Sequence, residues 1–215
     1  YLRTLMTDEL RYVDGLIESV WMTLKETGRA NDCLLIVCAD HGEALGESGF
    51  TGHIAGVPES LLRVPMLVHD SQRSQGRISE RVSLAWLFET IKHFFGIGGT
   101  INVTDPESYP RFVGSKTTGR LADLIDDPSV VPDEFLKERV AVYESHNPKL
   151  KYVRRGDDYS IREIEGAGLK EQASRDSNGA ARIISTFDEE LEENKTPDRK
   201  LEPAKRQQLE ELGYL

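Results

Sequence analysis

The chain has 215 residues, 38% of them hydrophobic and 30% charged, which is enough apolar material for a folded core and too much for a disordered chain. Its 27 basic and 37 acidic residues give a net charge of -10, excluding a general nucleic-acid binder, which needs a basic face. No apolar stretch approaches the ~20 residues that cross a bilayer, so no membrane span is expected.

In residues 2–27, Leu2, Leu5, Met6, Leu10, Val13, Ile17, Val20, Trp21 and Leu24 recur at helical spacing, with Gly28 as the natural stop. The run CLLIVCA, 33–39, is continuous in apolar residues and does not alternate. It predicts a central parallel strand covered on both faces. Cys33 and Cys38 lie five positions apart and point to opposite faces of such a strand, so they cannot bridge within it. Both are read as free, buried, small hydrophobes.

GESGFTGHIAGV, 46–57, predicts an ordered loop over the sheet edge, and RVPMLVH, 63–69, a second buried strand with Pro65 near its start. SLAWLFETIKHFFGI, 83–97, predicts an amphipathic helix capped by Ser83 and ended by Gly96. A helix feeding a buried strand, followed by a loop, a strand and a helix, is α/β order and predicts a doubly wound, mainly parallel sheet.

Beyond residue 98 the composition shifts to Pro- and Asp-rich connectors, GGTINVTDPESYP and DDPSVVPDE. Residues 139–145, 150–155 and 158–164 predict a small antiparallel meander, with RGDD as its tight turn. Residues 170–200 are polar and predict irregular structure, and a last helix runs from Pro203 to Gly213. The expected organisation is an α/β part over 1–125 and a small antiparallel C-terminal subdomain over 126–215.

The chemistry concentrates where the first strand ends, in VCADHGEALGES, 37–48. Ligand crevices of open α/β sheets lie beyond the carboxyl ends of the strands. Adjacent strand residues face opposite ways, but Gly42 lets the backbone turn, so Asp40 and His41 can swing into one crevice. A carboxylate beside a neutral imidazole suits a divalent cation such as Zn²⁺ or Mn²⁺, although two ligands do not complete a shell. His53 follows His41 by twelve positions in a glycine-rich loop that can fold it back toward the strand end. Glu43 reads equally as a carboxylate that orients His41 and as a solvated loop residue. His69 and His93 stand beside core aromatics and read as structural, while His146 is placed where it could approach the mouth of the site.

DHGEALGESGFTGH followed by ESLLRVPMLVH resembles the C-terminal half of the sulfatase family, within the alkaline phosphatase superfamily. ELRYVDGLIESVWMTL resembles that family's helix before the motif strand, RVSLAWLFETIKHFFGI a later helix, and LEELGYL a common ending. The resemblance covers residues 1 to about 97 well and 139–165 loosely. It implies an alkaline-phosphatase-like fold in which Asp40 and His41 ligate the active-site metal, one of Ca²⁺, Mn²⁺ or Zn²⁺. Many sulfatases carry Asn at the His41 position and bind Ca²⁺. The Asp-His form is similar to phosphonate and phosphate hydrolases that use Mn²⁺ or Zn²⁺.

His53 matches the family histidine that contacts the transferred group or, in two-metal relatives, a second metal, so it is the catalytic and substrate-binding candidate. Gly52 stands where the family often has Lys. Sulfatases attack with a formylglycine made from Cys or Ser in Cys/Ser-x-Pro-x-Arg, and this sequence contains no such motif. The resemblance therefore implies the C-terminal portion of a longer enzyme, with the nucleophile in an upstream segment. The expected substrate is a sulfate ester of a small molecule or sugar. A phosphomonoester, phosphodiester or phosphonate hydrolase or a phosphoalcohol transferase is the alternative, and a non-catalytic binding or assembly module a second. Nothing in the sequence fixes an oligomeric state.

Overall fold

The computed structural model describes residues 1–46, 51–53, 56–71, 75–117, 137–165, 170–174 and 177–193. Helix α1 spans Leu2–Glu26, and Gly28, at φ +72°, takes the left-handed turn that ends it. None of its residues is buried, and its apolar stripe, Leu2, Leu5, Leu10 and Val13 included, is open to solvent. Trp21 of this helix stands edge-on to His69 at 4.7 Å, in the strand Met66–Asp70 rather than in the first strand.

Strand β1, Leu34–Cys38, forms as expected but is half-buried, not covered on both faces. Both cysteines are free, Cys33 half-buried; Cys38 is exposed, which corrects its reading as a core residue. β1 pairs antiparallel with Met66–Asp70, and all pairing among the described residues is antiparallel. The parallel neighbours expected of this strand are absent among the described residues. Cys38 lies opposite Met66, so the connection 39–65 leaves and re-enters the sheet at one end. That return brings the described residues of the connection back to the strand end.

Within the connection, β2 (Ala44–Leu45) pairs with β3 (Thr51–Gly52), and a single helical turn, α2, spans Glu59–Leu62. The met strand, Met66–Asp70, is β4. The helix expected over 83–97 forms as a 3-10 turn, Leu84–Trp86, running into α3, Leu87–Phe94. The Ser83 hydroxyl accepts from the Ala85 N–H at 3.2 Å, the expected cap, and Gly96 follows the helix at φ +66°.

The C-terminal part is a five-stranded antiparallel sheet in the order β5 (Phe112–Thr117), β6 (Arg139–Glu144), β7 (Asn147–Arg155), β8 (Asp158–Glu165) and β9 (Lys170–Ser174). The meander matches the expected segments, with Gly156 at φ +57° opening the two-residue turn between Arg155 and Asp158. The irregular structure expected over 170–200 is corrected by β9 and by helix α4, Ser177–Glu193. α4 is polar on average, yet Ala180, Ile184 and Phe187 fall on one stripe and are buried against the sheet. The helix expected from Pro203 to Gly213 and the boundary placed at 125 lie outside the described residues.

Alternation along β6 sorts its side chains into two cores. Val140 and Val142 join Phe112, Tyr152 and the α4 stripe on one face. Ala141 and Tyr143 join Val153 and Val57 on the other, facing the segment that carries the motif. The antiparallel sheet therefore has a structural side and a side turned toward the strand-end loop.

Candidate functional site

Four polar side chains gather where β1 ends. Asp40 is nearly fully exposed, at 89%, and His41 about half, at 48%. Their ligand atoms, Asp40 Oδ2 and His41 Nε2, are 3.8 Å apart. Two donors each about 2.0–2.2 Å from one cation can be no farther apart than roughly 4.4 Å, so this spacing permits a shared ion. The Asp40 carboxylate is also held in place by the His41 N–H, which donates to Oδ1 at 2.9 Å.

His41 Nδ1 lies 2.9 Å from the Gly42 carbonyl. A carbonyl cannot donate, so Nδ1 carries the hydrogen and a neutral His41 presents the lone pair of Nε2 on the Asp40 side. A backbone carbonyl on the far ring nitrogen is the common device for orienting a metal-binding histidine.

Gly42 has a different role from the one its position suggests. Its φ is not in the left-handed region. A Cβ built on it would stand 2.0 Å from the Ser60 carbonyl oxygen, and its N–H donates to the Leu61 carbonyl at 2.8 Å. Glycine is needed here for close approach of α2, not for an unusual turn.

The small β2–β3 pair brings His53 home. Ala44 faces Gly52 across it, so the next positions outward, Glu43 and His53, meet. His53 Nδ1 is 2.9 Å from Glu43 Oε2, and the His53 ring stacks on His41 at 4.2 Å and 30°. His41, Glu43 and His53 each offer a ligand atom within 4.8 Å of the others, a set that could hold a divalent cation. Glu43 is the residue whose part the sequence left open. The signal was its place opposite His53 across a two-residue ladder, too short to read from pattern. Gly52 adopts φ +96°, where a Lys would be strained, so its backbone favours the glycine found there.

Asp40, His41 and His53 line one cleft of about 1670 Å³ between the strand-end loop and the antiparallel sheet. Arg63, Arg77, Arg81 and Lys149 line it too, alongside the acidic Asp70 and Glu80. The remaining histidines stand apart from the group. His69 bonds the Ala30 carbonyl through Nε2 at 2.8 Å on a cleft wall, His93 is exposed on α3, and His146 stacks on Tyr109 at 6.5 Å.

The sulfatase family model matches residues 2–97, which contain Asp40, His41, Glu43 and His53. Over this segment the chain is similar to the sulfatase family. The family belongs to the alkaline phosphatase superfamily, and a second comparison agrees. The chain is 37% identical over 73 residues to the multifunctional alkaline phosphatase superfamily protein PehA of Trinickia caryophylli, an alignment covering 33% of this chain and 14% of that protein. Its fold is similar to that of the phosphonate monoester hydrolase SpPMH from Silicibacter pomeroyi, with a TM-score of 0.62 at 19% identity. That superposition covers 88% of this chain and 40% of SpPMH. The architecture is thus α/β and alkaline-phosphatase-like with an antiparallel C-terminal sheet, and the chain spans well under two thirds of these relatives.

Proposed function

We propose that this sulfatase-like segment carries half of the active site of a metal-dependent ester hydrolase, with a sulfuric ester as substrate. The observation that carries the reading is the meeting of Asp40, His41 and His53 in one cleft at the end of β1. Asp40 and His41 hold the cation, Ca²⁺, Mn²⁺ or Zn²⁺. Bound there, the cation would supply Lewis acidity to an oxygen of the transferred group. His53 contacts that group or the leaving oxygen through Nε2, since Nδ1 is engaged by Glu43, and can donate a proton there. The basic side chains in the cleft of an acidic protein favour an anionic ester over a neutral one.

A second reading has a specific observation behind it. His41 stands where many sulfatases have Asn, and SpPMH, whose fold is similar, is a phosphonate monoester hydrolase. Both favour a phosphate or phosphonate monoester as the alternative substrate. Assaying the full-length protein with each cation on 4-nitrophenyl sulfate, 4-nitrophenyl phosphate and a phenyl phosphonate monoester separates the two. The sulfuric-ester reading expects the highest kcat/KM on the sulfate, lost on chelation. Preference for the phosphonate or phosphate transfers the assignment to the second reading, and chelator-insensitive turnover contradicts both.

A further inference from the structure

We infer that Glu59 is a positioning residue for the cation site, acting through α2 on the Asp40–His41–Gly42 turn; the inference rests on the cation reading above. Glu59 and Lys151 are the most deeply buried charged pair described, their side chains 2% and 1% exposed, with Lys151 Nζ 3.3 Å from Glu59 Oε1. Arg81 Nη1 donates to Glu59 Oε2 at 3.1 Å, and the Tyr143 hydroxyl donates to Oε1. The Arg81 guanidinium also lies on the Tyr143 ring, 4.4 Å from its centre. One carboxylate thus joins α2 to β6, β7 and the segment before α3. A buried charge this fully engaged is costly to assemble, and replacing it with hydrophobic residues is often neutral or better for stability. Stability alone is therefore a poor reason for it.

What Glu59 holds is the element that supports the site. The two residues after it, Ser60 and Leu61, supply the carbonyls that crowd and hydrogen-bond Gly42. With Ser60 O only 2.0 Å from where a Cβ at Gly42 would lie, a small displacement of α2 moves the turn presenting Asp40 and His41. Lys151 and Tyr143 lie on the sheet face turned toward the loop, so the antiparallel sheet sets the position of the turn through this carboxylate.

The test is a Mn²⁺ titration of the full-length protein, read as broadening of the His41 and His53 ring proton resonances, well below the unfolding temperature of each variant. Glu59→Gln is expected to weaken Mn²⁺ binding about tenfold, and Glu59→Asp to recover part of it. Gly42→Ala should weaken binding too, and adding Glu59→Gln to it should cost little more, because both act through one contact. Should Glu59→Gln fail to fold, Glu59→Gln with Lys151→Met removes both charges and gives the same readout. A folded variant lacking the Glu59 charge that binds Mn²⁺ as tightly as the wild type overturns the inference, as does full additivity with Gly42→Ala. If the wild type shows no broadening at either ring, the cation reading itself fails, and this inference with it.

Discussion

At the scale of single residues, neighbouring backbone groups decide how the site side chains are used. The Gly42 carbonyl selects the His41 tautomer, and Glu43 fixes which edge of His53 faces the cleft. Neither partner is distant in sequence, yet only the presence of Asp40, His41 and His53 was legible there. Their convergence depended on how the 39–65 connection returns to the sheet. Away from the site, Tyr109 is buried between Trp86 and the loop at Val103, whose carbonyl accepts its hydroxyl at 2.6 Å. Burial, helped by the charges of Glu80 and Asp105, pushes its pKa up to about 12 from 10.0. Because the folded value is raised, the contribution to stability is complete below pH 10 and is lost as pH rises through about 12. Thermal unfolding followed from pH 9 to 12 should therefore fall steeply for the wild type and less steeply for Tyr109→Phe. Equal slopes would remove Tyr109 from the alkaline transition.

At the scale of elements, strong local patterns survived and weak ones did not. Leu2 to Leu24 gave α1, CLLIVCA gave β1, and RVAVYES gave a strand whose alternation separates two cores. β5 went unread because Phe112–Thr117 mixes apolar, glycine and polar residues, and its register is set by β6. α4 was hidden for a related reason. A stripe of Ala180, Ile184 and Phe187 suffices for burial, while the average over a polar segment obscures it. Gly114 shows how closely helix and sheet meet: a Cβ there would lie 2.2 Å from the tip of the Phe187 ring. Gly114→Ala should cost about 1–3 kcal/mol in urea unfolding, and Phe187→Leu in the same chain should recover part of it. No recovery would mean that the clash lies with the backbone instead.

At the scale of the whole molecule, burial is uneven. The antiparallel sheet and α4 enclose a packed core, whereas Leu2, Leu5, Leu10, Val13 and Val20 of α1 and Phe88, Phe95 and Ile97 of and after α3 remain exposed. The regular apolar stripe of α1 marks a face able to pack, and burial needs something to pack against. In this chain, Leu10→Ser should change the unfolding free energy by less than about 0.5 kcal/mol. Ile184→Ala, fully buried where α4 packs on the sheet, should cost roughly 2–5 kcal/mol. Comparable losses for the two would show that α1 is packed in solution.

The central claim, that Asp40 and His41 hold the cation while His53 serves the transferred group, is tested most directly by measuring bound metal and turnover together in the full-length protein. Asp40→Asn is expected to lose both the metal and activity. His53→Ala is expected to keep the metal and lose kcat by about 10²–10⁴-fold, the usual contribution of a positioned proton donor. Full turnover in Asp40→Asn, or metal loss in His53→Ala equal to that in Asp40→Asn, would contradict this division of roles.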